Sequence, residues 1–354
     1  ATLLLPTSVL GKKYRAISFT QNGTGGTGQV DKSQFQVIAV KPNTQVRVTP
    51  RLNGINGTAF LINLPNAGDM YQYQSDLDIT GTYIESVIAT GSSSCLPIAV
   101  FSGSSNLTFG NSNGCNGGSY DPLFQQLYPT PTWGKNYGFI PSADYPNGNA
   151  YRVMASEDNT TVSFDGAVVA TLNAGEIYPN NFGSNPVLAA NPINITSDKP
   201  VCVAQYMSSN VCGGGGFGDP DMVILNPVEQ NIKDITIFSS TQQNITHQWV
   251  NVLIKTIAVP SFQINGVAPP ASAWQPFPTM PGFSYMKRLF PGAGSYRLRA
   301  DSGFNAIAFG FSANFESYAY SAGTNVKDPY QQVGVTTLYG IEPVPTVCTN
   351  SPFK

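Results

Sequence analysis

"YRVMASEDNTTVSFDG", residues 151–166, reads as a strand, a polar turn and a second strand, and the chain has already written it once. "FQVIAVKPNTQVRVTP", residues 35–50, aligns with it without a gap. Phe35 falls on Tyr151, Ala39 on Ala155, Asn43 and Thr44 on Asn159 and Thr160, and Val46 on Val162. Apolar and polar residues alternate on both sides of each turn, the period of a half-buried strand. A hairpin written twice predicts a fold built by duplication.

The likeness runs on from the hairpin. "LPNAGDMY" (64–71) is answered by "LNAGEIY" (172–178), and "DITGTYIES" with "CLPIAVFSG" (78–86, 95–103) by "NITSDKPVCVAQYMSS" (194–209). A Gly/Ser/Asn-rich loop and an Asp-Pro then follow in both copies, Asp121-Pro122 and Asp219-Pro220. A fainter third copy runs through "WVNVLIKTIAVPSFQING" (249–266), "PGFSYMKRLFPGAGSYRLRAD" (281–301) and "FNAIAFGFSANFESYAYSAG" (304–323). Segments such as "TAFLINL", "DITIFSS" and "SYRLRA" have the same alternation and are bounded by some of the chain's 27 Pro and 35 Gly. Two stretches, "YDPLFQQLYP" (120–129) and "NPVEQNIKD" (226–234), read as short helical turns. The expected fold is all-β: duplicated β-sandwich-like units packed as one array, with few helical turns. The expected boundaries are 1–34 for an N-terminal strand and lead-in, 35–149, 150–243 and 244–323 for three repeats, and 324–354 for a tail.

Composition narrows the function. Of 354 residues 41% are hydrophobic, enough for real cores, while only 11% are charged, against about a quarter in ordinary domains. A formal net charge of -2 gives no electrostatic steering toward nucleic acid. No stretch reaches the roughly 20 apolar residues of a membrane span, so membrane insertion is not expected. The start, "ATLLLPTSVLGKKY", lacks a basic leader ahead of a long apolar run and reads as a mature N-terminus or a cut boundary.

The five cysteines form no CxxC pair, and with a single histidine they offer no zinc site. Cys95 with Cys115, and Cys202 with Cys212, each flank a polar loop and are expected to staple it as a disulfide; Cys348 is left over, free or pairing with a partner chain. Six Asn-x-Ser/Thr sequons, at Asn22, Asn56, Asn106, Asn159, Asn194 and Asn244, are glycosylation acceptors if the chain is secreted by a eukaryote. Both features point to a secreted or cell-surface protein.

No catalytic signature is present. His247 is the only histidine, and no nucleophile elbow, HExxH, P-loop or dinucleotide fingerprint occurs. "CGGGGFGD" (212–219) reads as a flexible loop. The paired carboxylates, Glu157 with Asp158, Asp76 with Asp78, and Asp219 with Asp221, are the only glycosidase candidates, and the first pair is what a hairpin turn requires. Asp219 and Asp221 alternate in a loop, so calcium is the one metal the pattern admits, and no other cofactor is expected. Tyr71, Tyr73, Tyr83, Tyr120, Tyr128, Trp133, Tyr137, Tyr145, Trp274, Tyr318 and Tyr320 lie partly in loops; about two-thirds are expected to pack inside and the rest to offer contact surface.

Taken together, "LGKKY" (10–14), "DITGTYIES", "PIAVFSG" (97–103), "DPLFQQLYP" (121–129), "WGKNY" (133–137), "YRVMASEDNTTV", "SDKP" (197–200), "GDPDM" (218–222), "PVEQ" (227–230) and "FNAIAFGFSANFESYAYSAG" are ordered landmarks. In that order they resemble the N-terminal domain family named after the IgG Fc-binding protein of mucus, found also in large bacterial surface adhesins. The segment "YIESVIATGSSSC" (83–95) is longer than the family's usual counterpart, and "GSYRLRAD" (294–301) lacks its frequent Gly-His. The resemblance implies a non-enzymatic extracellular module that binds proteins or glycans within a larger surface or mucus assembly; Fc binding itself belongs to one branch. Two readings stand beside it. Self-association would use strand addition by "ATLLLPTSVL", although this segment also suits completion of its own fold. A lectin would use exposed aromatics and calcium.

Overall fold

The computed structural model describes residues 1–20, 31–88, 95–109, 118–183, 186–209, 212, 216–240, 242–312 and 315–326. The first repeat holds β1 (Lys13–Arg15), β2 (Ser33–Ala39), β3 (Thr44–Thr49), β4 (Arg51–Leu52) and β5 (Ile55–Asn56). It continues with β6 (Phe60–Leu64), β7 (Met70–Ser75), β8 (Tyr83–Val87), β9 (Ile98–Leu107) and β10 (Asp121–Gln126). The second holds β11 (Gly134–Phe139), β12 (Asn149–Ala155), β13 (Thr160–Phe164), β14 (Ala167–Leu172), β15 (Ile177–Tyr178), β16 (Leu188–Ala189), β17 (Ile193–Met207) and β18 (Asp221–Ile224). The third holds β19 (Ile232–Ser239), β20 (His247–Lys255), β21 (Gln263–Ile264), β22 (Gln275–Pro276), β23 (Phe283–Phe290), β24 (Gly294–Phe311) and β25 (Ser317–Ser321).

In the first repeat two antiparallel sheets, β1-β8-β3-β6 and β10-β9-β2-β7, face each other. Alternation dictates the filling: Phe35 and Val37 of β2 and Val46 and Val48 of β3 are fully buried, while Gln34, Gln36 and Arg47 point outward. The later repeats follow the same plan with one change. β17, fifteen residues long, pairs with β11 and β13 along its first half and with β12 and β18 along its second. β24, eighteen residues long, does the same with β19 and then with β20 and β25. The first repeat divides this path between β8 and β9, where the longer 83–95 segment lies.

Duplication is visible atom by atom. Thr44 Oγ1 donates to the Lys41 carbonyl at 2.7 Å, and Thr160 Oγ1 to the Glu157 carbonyl at 2.7 Å. Asn43 and Asn159 both take left-handed backbone, φ 59° and 53°, as that turn requires. Tyr14 accepts from the Gly11 N–H at 2.9 Å and donates to the Ile98 carbonyl at 2.7 Å; Tyr137 accepts from Gly134 at 3.1 Å and donates to Val201 at 2.6 Å. "GKKY" and "GKNY" are thus one clamp used twice, each tying the repeat's first strand to the residue after Pro97 or Pro200.

Sheet membership places β1 with β8, β11 with β17 and β19 with β24, so in each unit a strand ahead of the hairpin shares its sheets. "YDPLFQQLYP" is corrected: residues 121–126 form β10, which pairs with β9 through a bulge at Asp121/Leu123, where Pro122 is tolerated. Helical structure there is limited to a 3-10 turn at Thr130–Thr132, and a second turn at Val228–Gln230 falls where expected.

Adjacent repeats share cores. One cluster joins Tyr14, Phe35 and Val46 of the first repeat to Ala150, Tyr206 and Ile224 of the second, and another joins Val153 and Val203 to Phe309 and Phe311 of the third. At the first seam Arg152 is buried; its guanidinium donates to Asp78 at 2.6 Å, the Ser18 carbonyl at 2.8 Å and Thr80 at 2.9 Å, and stacks on Phe19 at 4.1 Å. The chain's apolar start docks on its own fold: Leu5 N–H donates to Gln126 at 2.8 Å, and the Gln126 N–H donates to Thr2 Oγ1 at 2.8 Å.

Candidate functional site

The chain leaves β9, β17 and β24 and returns into β10, β18 and β25, and these three return strands lie together at one pole, β18 against both β10 and β25. Each return presents one aromatic residue: Tyr120 just before β10, Phe217 before β18 and Phe315 before β25. Tyr120 is 42% exposed and Phe315 52%, while Phe217 is half-buried against His247 and Phe311. Phe315 sits at φ 60°, a left-handed conformation that is costly for a bulky residue and that turns its ring outward only at that cost. Of these three, only Tyr120 was singled out from the sequence. An aromatic residue one or two positions ahead of each Asp-Pro, or of its third-repeat counterpart Glu316, is the signal that finds the other two.

Beneath the aromatics lie carboxylates. Asp121, Asp219, Asp221 and Glu316 are close enough to act on one another. Burial, then the neighbouring carboxylate Asp221, raises Asp121 to about 7. Burial, followed by Asp121, Glu316 and Asp221, raises Asp219 to about 8 against a lowering hydrogen bond from Ser119. Burial likewise raises Asp221, whose oxygens accept from the Met222 N–H at 2.6 Å and from the Ala319 N–H. Among the described residues no three His, Cys, Asp or Glu side chains group so as to hold a metal ion, and Asp221 already accepts two backbone N–H groups.

The other candidate carboxylates are kept apart. Asp76 pairs with Lys32 at the surface, whereas Asp78 is buried under Arg152. Glu157 and Asp158 are exposed turn residues, and Asp158 accepts from the Ala174 N–H at 2.9 Å. His247 begins β20 and stacks on Phe311. Of the aromatics, Tyr128, Trp133, Tyr137, Tyr145 and Tyr318 are buried, and Tyr71, Tyr73, Tyr83, Trp274 and Tyr320 are half-buried.

The cysteines require a correction. Cys95 and Cys212 are each disulfide-bonded, but Cys202 is a free thiol, so the 202–212 staple does not form. Cys202 lies within β17 and points into the core shared with the first repeat, where burial pushes its thiol up to about 12. Cys95 precedes β9 and escapes that alternation. Cys115 and Cys348 lie outside the described residues, as does Asn22. Asn56, Asn159 and Asn244 are exposed. The side-chain nitrogen of Asn106 is bonded to Asp31 at 3.3 Å and that of Asn194 to the Thr279 carbonyl at 2.8 Å.

Comparison with known proteins gives one strong result. A search of curated proteins finds no match. Among solved structures, an anti-sigma factor domain-containing protein from Clostridium clariflavum is 10% identical over 89% of this chain and 83% of its own, with a TM-score of 0.13. A GH78 family rhamnosidase of Bacillus sp. GL1 is 9% identical over 94% of this chain and 34% of its own, also at 0.13. At those scores neither likeness bears on the fold. No described helix is long and apolar enough to cross a membrane. The family model described as IgGFc binding protein matches residues 1–310, and the chain belongs to that family.

Proposed function

We propose that the chain is a non-enzymatic extracellular binding module that meets a protein partner through the loop pole. The observation that carries this reading is the convergence of three return strands, each preceded by one aromatic residue over a shared, strongly supported base. Aromatic anchors dominate binding energy at protein interfaces because they bury large area at low entropic cost. Loops on a rigid scaffold are also where sequence can vary without disturbing the cores. The bonded Cys95 and Cys212 and the exposed sequons at Asn56, Asn159 and Asn244 suit an oxidising, extracellular setting.

The test is biolayer interferometry of the intact protein against IgG Fc and against purified mucin, for the wild type and for Tyr120→Ala/Phe315→Ala. Binding of either probe that weakens at least tenfold in the double variant supports the pole. Failure to bind both, or binding indifferent to the two substitutions, overturns it.

Self-association is a second reading, favoured by β7. Met70–Ser75 is an uncharged edge strand, hydrogen-bonded on one side only to β2, with Met70 exposed. Light scattering that gives a concentration-dependent mass, abolished by Gln72→Pro, would support it; a monomer at all concentrations rejects it.

A further inference from the structure

The seam between the second and third repeats is open where the first seam is closed. A cleft of about 490 Å³ runs along it, lined by Ser142, Asp144, Tyr145, Ala190, Phe217 and Lys287 among others. A second depression of about 180 Å³ lies beside Ala273, Gln275 and Tyr285 and shares Lys287. The larger volume falls within the roughly 300–1,000 Å³ usual for small-molecule sites.

One wall is held from beneath. Residues 140–142 connect β11 to β12, and three buried amides fix them: Asn251 donates to the Ile140 carbonyl at 3.1 Å and the Pro141 carbonyl at 3.3 Å, Gln205 donates to Ile140 at 3.1 Å, and Asn149 accepts from the Ser142 N–H. Asn251 lies directly across from Lys287 in the β20–β23 register. Its Oδ1, the Gln205 Oε1 and the Trp249 indole N–H are buried without a hydrogen-bond partner, so this seam retains polar capacity that the protein leaves unused.

The lining selects a ligand class. Lys287 makes no ion pair within 4.0 Å among the described residues, yet Asp144 is near enough to favour its charged form against the burial that disfavours it. An anion would bind Lys287 but meet Asp144, and a cation would meet Lys287. A neutral polyol satisfies both, donating hydroxyls to the carboxylate and accepting from the ammonium. Tyr145, Phe217 and Tyr285 add ring surface for a C–H face, and the Tyr285 hydroxyl, bonded to Gln275, fixes a polar edge.

We infer that this cleft binds a neutral saccharide, whose hydroxyls bridge Asp144 and Lys287. The inference rests on the reading of the chain as a binding module, but it locates a site that shares Phe217 with the pole and does not include its exposed tips, Tyr120 and Phe315.

Saturation-transfer NMR on the intact protein tests it, with the methyl glycosides of galactose, glucose, mannose, fucose and N-acetylglucosamine at millimolar concentration and N-acetylneuraminic acid as the anionic arm. Transfer to at least one neutral glycoside is expected, at least tenfold weaker in Lys287→Met and in Asp144→Asn and unchanged in Phe315→Ala. Neither cleft variant disturbs a hydrogen bond or ion pair identified here, so an unchanged melting curve separates lost binding from lost folding. Three results overturn the inference: no transfer to any neutral glycoside, transfer indifferent to both cleft variants, or transfer confined to N-acetylneuraminic acid. Loss in Phe315→Ala alone would place the sugar at the pole, which removes the cleft site and leaves the module reading standing.

Discussion

The two seams of this array are built from opposite materials. The first is closed by a charge: Arg152 and Asp78, both essentially without solvent, share an ion pair to which Ser18, Thr80 and Phe19 add hydrogen bonds and a ring face. Removing two charges from water is costly, and only such full coordination offsets it. The second seam is held by neutral amides, Asn251, Gln205 and Asn149, and it leaves a cleft beside Lys287. Arg152 aligns with Gln36 of the first repeat, which lies half-buried on an outer face and donates to Gln72 of the neighbouring strand at 3.4 Å. One register position therefore serves a lock in one copy and surface in another. The strands recur from copy to copy, while single residues such as Arg152 and Asn251 set the difference between the joints.

This contrast can be broken at several points. Arg152→Met should have the largest effect, about 3–5 kcal/mol by urea denaturation, because it strands Asp78 as a buried unpaired charge. Arg152→Met with Asp78→Leu should recover part of that loss; full additivity would mean the pair does not act as a unit. Asn251→Leu, the corresponding cut at the second seam, should cost about 1–3 kcal/mol, since the Ile140 and Pro141 carbonyls lose a donor. If it costs as much as Arg152→Met, the seams are equally locked. Tyr14→Phe and Tyr137→Phe should each cost about 1 kcal/mol, and similar values would show that the two clamps are equivalent in energy as in geometry. Lys287→Met should shift stability by less than about 0.5 kcal/mol.

The pole adds a pH signature. Asp121 and Asp219 titrate at about 7 and about 8 when folded, against 3.8 for an ordinary aspartate. The folded chain therefore holds protons that the unfolded chain has released, so this contribution to stability is full below the ordinary value of 3.8, falls steadily as pH rises above it, and is lost once pH passes about 7 for Asp121 and about 8 for Asp219. Thermal melting should follow that direction, and Asp219→Asn should raise Tm at pH 8 by a few degrees while leaving it nearly unchanged below about pH 4. A melting curve independent of pH between 5 and 8 would contradict the burial of these groups.

The strands were legible because alternation and turn chemistry are local: "EDNTT" and "KPNTQ" carry the Asn that a left-handed turn position demands. The sheet partners of β1, β11 and β19 were not, because these strands are three to eight residues long and declare their sheet only by pairing with β8, β17 and β24. Cys202 misled for a similar reason. Its nearness to Cys212 in sequence suggests a staple, but its parity within β17 turns it into a shared core that no local pattern announces. Asp78 reads in sequence as a carboxylate paired with Asp76 because its actual partner, Arg152, is 74 residues away. The cleft was not legible, since Asp144, Phe217 and Lys287 lie 70 or more residues apart and meet only across a seam.

Hydrogen–deuterium exchange of the intact protein tests the central contrast most directly, by comparing segments that lie outside strands at each joint. We predict that residues 16–20 and 78–80, which clasp Arg152, exchange as slowly as the core strands, through global unfolding, while the 140–146 wall exchanges at least a hundredfold faster through local opening. Equal protection of the two, or faster exchange around Arg152, would show that the first seam is not the lock and the second is not the joint left open for a ligand.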